Sequence, residues 1–374
     1  MAMTTSNAPQ PDVSTDRPST ERYTDQFELG LHTFGDVTTT PDGSRSLSHP
    51  EVLQNLLAEA TLADEVGVDV FGVGEHHRPD YSVSAPDIVL AAAGAATKRI
   101  KLITAVTVLS SDDPVRVYQR FATIDGLTGG RAEVSLGRGS FIESYPLFGY
   151  ELGDYEKLFE EKTDLFVKLR SEGPVTWSGE TRAGLKNQEI FPKTNHDGGI
   201  PTWIAVGGTP NSVIRAARHG VGLELAIIGG APSRFAPFVD LYYRALEQFG
   251  HSADLRVASH SHGYVAETEE RAREIFYPAW AEAMHKIGQE RGWGGDYPSR
   301  DQFEQEIAHG ALYVGTPETV ADKIVRTQKA LKTTRFGLKY GNGPLAHEHM
   351  MESIELYGSK VKPLVLERLA EEAS

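Results

Sequence analysis

The chain has 374 residues, with 52 Asp and Glu against 37 Lys and Arg, for a net charge of −15. That balance argues against a general nucleic-acid binder, which leans on cations along the phosphate backbone. The absence of Cys excludes disulfides and thiolate metal sites and fits a cytoplasmic address, and no apolar run approaches the length of a membrane span.

Residues 1–25 are rich in Thr, Ser, Pro and Asp and hold no apolar segment, so a disordered tail is expected there, followed by a single domain over 26–374. From residue 27 onward, strand-like and helix-like stretches alternate. "FELGLHTF" (27–34) reads as a strand and "HPEVLQNLLAEATLADEVG" (49–67) as an amphipathic helix with a Gly stop. The unit repeats with strands at 68–77, 100–110 and 131–139 and helices at 85–99, 114–128 and 154–172. It continues with strands at 200–208, 221–230, 255–267 and 335–342, and helices at 209–220, 232–250, 268–290, 316–331 and 347–369. Eight strands, each followed by a helix, imply parallel pairing and an α/β (β/α)8 TIM barrel, with an open doubly wound sheet as the competitor. Two segments break the rhythm. Insertions at 173–199 and 291–315 precede strands 5 and 8, and their Trp177 and Trp293 are candidates to line a substrate pocket.

In a barrel of this kind the active site lies at the C-terminal ends of the strands. Glu75-His76-His77 ends strand 2, "GRGS" (137–140) follows strand 4, "GGTPNS" (207–212) follows strand 5, and Gly229-Gly230 ends strand 6. Tyr340 and Asn342 end strand 8. The polar and glycine-rich residues therefore gather on one rim. Gly207 and Gly208 with Thr209 and Ser212 at a helix start suit an anion such as a phosphate; equally, Thr209 can be a plain N-cap with Pro210 behind it. Arg138 supplies a cation on the same rim, unless it is an ordinary ion-pair partner.

Strand alternation places Val70, Gly72, Gly74 and His76 on one face and Glu75 and His77 on the other. The two glycines suggest a void beneath His76 that can receive a flat ring. The triplet cannot turn three ligands toward one metal. His260 and His262 share a face and form the better metal pair, but no strong acid or lysine partner is evident, so no metal is expected. His76 fits a proton donor or acceptor because an unperturbed imidazole titrates near neutrality, with a plain core histidine as the alternative.

Together "GVDVFGVGEHH", "IKLITAVTVLSSDDPVRVYQRFATIDGLTGGRAEVSLGRGSF" and "YVGTPETVADKI" resemble the bacterial luciferase-like flavin-dependent monooxygenases, over about residues 28–364. The resemblance implies a barrel that binds reduced FMN from a separate flavin reductase, uses O2 on a small organic substrate, and often forms homodimers. By the same resemblance His76 is the catalytic base or acid. Ala105, Val106 and Thr107 support the flavin ring, often through a non-prolyl cis peptide. Arg138, Gly207, Gly208, Thr209 and Ser212 hold the phosphate, with Gly229 and Gly230 in the next loop. The chain departs from the luciferases in lacking their reactive cysteine and the acidic residue of their phosphate loop, which argues against light emission. Some relatives use coenzyme F420 for hydride transfer without O2; the Glu-His-His motif favours FMN.

Overall fold

The computed structural model describes residues 27–40, 42–139, 141–291 and 296–373. The expected tail and Trp293 lie outside them. Eight strands build the barrel: β1 (Glu28–Thr33), β2 (Val70–Val73), β3 in two pieces (Lys101–Thr104 and Thr107–Val108), β4 (Val134–Gly137), β5 (Thr202–Val206), β6 (Gly222–Ala226), β7 (Val257–Val265) and β8 (Arg335–Lys339). All pair in parallel. β1 lies between β2 and β8, and β8 leads through β7, β6 and β5 to β4. The first piece of β3 pairs with β2 and the second with β4, and Leu102 bridges Ala132. One strand thus serves both ends of the sheet, which makes a nearly closed barrel and excludes the open sheet. A ninth parallel strand, Tyr313–Gly315, adds to the far end of β7.

The helices follow from local chemistry. Pro114–Thr128 starts at Asp113, whose carboxylate accepts from the amides of Val115 (2.9 Å) and Arg116 (3.2 Å), and stops where Gly129 turns left-handed at φ 67°. Its buried face (Val117, Tyr118, Phe121, Ala122 and Ile124) packs on the barrel. Each such side chain contributes roughly 1.5–3 kcal/mol, whereas removing the Asp113 cap costs about 1 kcal/mol; packing, not capping, holds the helix in place. The insertion before β5 is an antiparallel hairpin, Val175–Trp177 with Leu185–Gln188. Trp177 is buried there, its indole donating to Asp164 at 2.8 Å, so it packs the hairpin onto helix Tyr155–Leu169, where it lines a cavity of about 420 Å³ with Glu160, Glu161 and Arg218. The insertion before β8 holds helix Arg300–Ala308, which the sequence pattern did not reveal.

Inside the barrel, alternate residues of each strand point inward. The N-terminal end is plugged by charge. Arg335 donates to Glu133 at 2.8 and 3.0 Å and to Glu28 at 2.8 and 2.6 Å. The Trp203 indole donates to Glu133 at 2.8 Å, and Lys101 and Arg256 complete the cluster on Glu28. Above it, Gly72 and Gly337 stand against His32, where a Cβ on either would come within 2.6 or 2.7 Å of its ring.

Candidate active site

The Glu-His-His triplet divides by strand parity as expected. The Glu75 carboxylate accepts the Val108 amide at 2.9 Å and faces His77 Nε2 at 2.9 Å, so it ties the end of β2 to the second piece of β3. His76 points the other way. Its ring lies 4.6 Å from Phe34, 4.5 Å from Tyr81 and 5.1 Å from Phe141, and only 7 % of the residue is exposed. Burial, then the charges of Lys339 and Arg78, push its pKa down to about 3. The argument from a near-neutral histidine is therefore corrected: His76 is a neutral imidazole that can give one hydrogen bond and accept one. The expected void is corrected too. A Cβ on Gly72 would stand 2.6 Å from the His32 ring, and one on Gly74 would strike Phe34; two side chains of β1 and its loop fill the space the glycines leave.

The residues expected to support a flavin also reach this mouth. The Ala105–Val106 peptide is cis. Val106 is partly exposed and fits against Gly137, where a Cβ would come within 2.5 Å of its methyl group. Thr107 donates to Thr104 Oγ1 at 3.0 Å. Arg138 pairs with Glu156 and lies over the Tyr155 ring at 5.0 Å, while the other Glu156 oxygen accepts from Arg215 at 2.7 Å. Arg215 belongs to helix Pro210–Arg218, so one carboxylate connects Arg138 to the helix that follows Gly207 and Gly208. Thr209 occupies that helix's N-cap position, but its hydroxyl donates to Ser212 Oγ at 2.8 Å and makes no side-chain cap. Gly207 is exposed, with open space on its Cβ side, and Gly208 has φ 106°, a conformation suited to glycine. The loop after β6, expected as a further cofactor loop, differs: the Gly230 amide donates to both oxygens of Glu306, at 3.2 Å each. Gly229 stays exposed beside it.

The family model of the luciferase-like monooxygenases matches residues 32–334. The chain belongs to this family. It is accordingly an enzyme of a flavin-dependent monooxygenase family. The 4-hydroxyprotoasukamycin monooxygenase of Streptomyces nodosus subsp. asukaensis is 26 % identical over 326 residues, 81 % of this chain and 84 % of that protein. Two solved structures share the fold. The oxygenating constituent of 3,6-diketocamphane monooxygenase of Pseudomonas putida, in complex with FMN, superposes with a TM-score of 0.72 at 19 % identity, over 91 % of this chain and 98 % of that one. The coenzyme F420-dependent tetrahydromethanopterin reductase of Methanopyrus kandleri gives 0.69 at 18 %, over 90 % and 99 %.

The mouth of this luciferase-like barrel has groups that fit a flavin. Asn342 is buried, its amide oxygen accepts from His262 Nδ1 at 2.7 Å, and its amide nitrogen has no partner among the described residues; such a donor suits a ring carbonyl. Asn342 thus reaches the rim, whereas Tyr340 turns outward and donates to Glu59 at 2.6 Å, so its expected rim position is corrected. Two cavities flank Phe141. One, about 550 Å³, is lined by Arg138, Ile142, Tyr145 and Tyr155. The other, about 290 Å³, is lined by Asp36, Arg78, Tyr81 and Lys286. Lys339, buried beside His76, donates to both oxygens of Asp36 at 3.2 and 3.1 Å. The sequence reading missed Lys339 and Asp36. The signal was there: a lysine on an inward position of β8 needs an acid within reach. Among the described residues no helix is long and apolar enough to cross a membrane.

The histidine pair His260–His262 does not form. His262 turns to Asn342, and His260 Nδ1 lies 3.2 Å from Glu224.

Proposed function

We propose that the protein is the oxygenating component of a two-component monooxygenase that takes reduced FMN from a separate reductase, uses O2, and acts on a small organic substrate as a homo-oligomer. Reduced FMN would supply the electrons that activate O2. Arg138, Gly207, Gly208, Thr209 and Ser212 would hold its phosphate, and Ala105, Val106 and Thr107 would back its ring. His76, neutral and boxed by Phe34, Tyr81 and Phe141, would hold a proton at one ring nitrogen and accept one at the other, at a site from which these rings exclude water. Lys339 keeps its cation tied to Asp36 and so helps to keep the neighbouring imidazole uncharged. The observation that supports this reading is Phe141, which lines both the cavity beside Arg138 and the cavity beside Asp36 and whose ring lies 5.1 Å from that of His76. A cofactor on one side and a substrate on the other would both reach it across Phe141.

The test is an anaerobic titration of the purified protein with FMN and coenzyme F420, each oxidised and reduced, followed by absorbance and fluorescence. Tight binding of reduced FMN is expected. Binding of coenzyme F420 alone would overturn the reading in favour of hydride transfer, and binding of neither would overturn the cofactor assignment altogether.

A further inference from the structure

We propose that the barrel interior, below the mouth, contains a site for a divalent transition-metal ion formed by His32, Glu224 and His260. The three come from β1, β6 and β7, and their ligand atoms lie within 4.8 Å of one another. Glu224 Oε1 stands 3.2 Å from His260 Nδ1 and 3.9 Å from His32 Nδ1, and the two rings are 5.2 Å apart at 62°. β8 runs between β7 and β1, and at this level it contributes Gly337, paired in register with both His260 and Gly30. No side chain separates the imidazoles. A Cβ on Gly337 or Gly72 would come within 2.7 or 2.6 Å of the His32 ring, so these glycines make the position of His32 possible.

His32 is the independent sign of a missing partner. It is 2 % exposed, and among the described residues neither ring nitrogen has a hydrogen bond. A buried polar group left unpaired costs about 1–3 kcal/mol, and Glu224 Oε1, at 3.9 Å from His32 Nδ1, stands beyond hydrogen-bond reach. Glu224 is also buried. The Ser135 hydroxyl donates to its second oxygen at 2.5 Å. A carboxylate with two imidazoles is a donor set for Zn2+ and its borderline neighbours; Ca2+ and Mg2+ prefer oxygen alone. A bound ion needs His260 as the tautomer protonated on Nε2. Ser135 would orient the carboxylate from behind, and His260 is the one partly exposed member of the three. The site needs no flavin and stands apart from the monooxygenase reading.

The experiment is metal analysis of the full chain, stripped with chelator and reloaded with Zn2+ or with Co2+, whose visible absorption reports its coordination. One ion per chain is expected, with a rise in the thermal midpoint on loading. Glu224→Gln should weaken binding by at least about 100-fold, and His262→Asn should leave it unchanged. If Glu224→Gln fails to fold, as checked by circular dichroism, His260→Gln makes the same comparison. A wild-type chain that binds neither ion would overturn the proposal and leave His32 to an internal water. Undiminished binding in the Glu224 or His260 variant would also overturn it, by placing the ion elsewhere.

Discussion

At the N-terminal end of the barrel, Nε and both terminal nitrogens of Arg335 donate to Glu28 or Glu133, and Trp203 takes a further Glu133 lone pair. Toward the mouth, both nitrogens of His32 and the amide nitrogen of Asn342 are buried without partners among the described residues. The two regions lie in one barrel and use similar polar residues. One is satisfied within the chain and serves stability; the other leaves groups unsatisfied, as a site awaiting another molecule does.

Substitutions at the two ends should separate these roles. Arg335→Met leaves two buried carboxylates without their main counter-charge and is expected to cost about 3–5 kcal/mol in denaturant unfolding. A loss below about 1 kcal/mol would break the contrast. His76→Ala at the mouth should leave the affinity for reduced FMN nearly unchanged and lower oxygenated product by about 100-fold or more. Unchanged turnover would remove His76 from the chemistry.

The titration of His76 sharpens the comparison further. Its folded pKa of about 3 lies below the ordinary 6.5, so between these values the unfolded chain binds a proton that the folded chain does not. The folded state therefore loses stability as pH falls from about 6.5 toward 3, by up to about 1.4 kcal/mol per pH unit from this residue. His76→Asn should flatten the unfolding free energy against pH by about one proton over that window; an unaltered slope would show that the imidazole is not held neutral. The smallest effect is expected at the partly exposed Arg138. Arg138→Ala should weaken FMN about 10-fold, near 1.4 kcal/mol, and barely affect riboflavin. Equal losses for the two would refute a phosphate contact.

Much of the fold was legible because its signals are local. Strand–helix alternation, the Asp113-Pro114 start and the Gly129 stop need only neighbours in sequence, and all eight strands stand where the pattern placed them. The family was legible from motifs at strand ends. The partners were not. Glu75 reads as part of a polar triplet at a strand end, yet it fastens β2 to the Val108 amide; Gly230 reads as part of a cofactor loop, yet it holds Glu306 from a helix 76 residues away. His32, Glu224 and His260 meet only because β1, β6 and β7 are brought around β8 with glycine between them. By itself the sequence determined which residues face inward and which strand ends carry chemistry, since both follow from a period of two. Only the tertiary structure decided which inward groups are satisfied, because hydrogen bonds and charge pairs inside a barrel form between strands far apart in the chain.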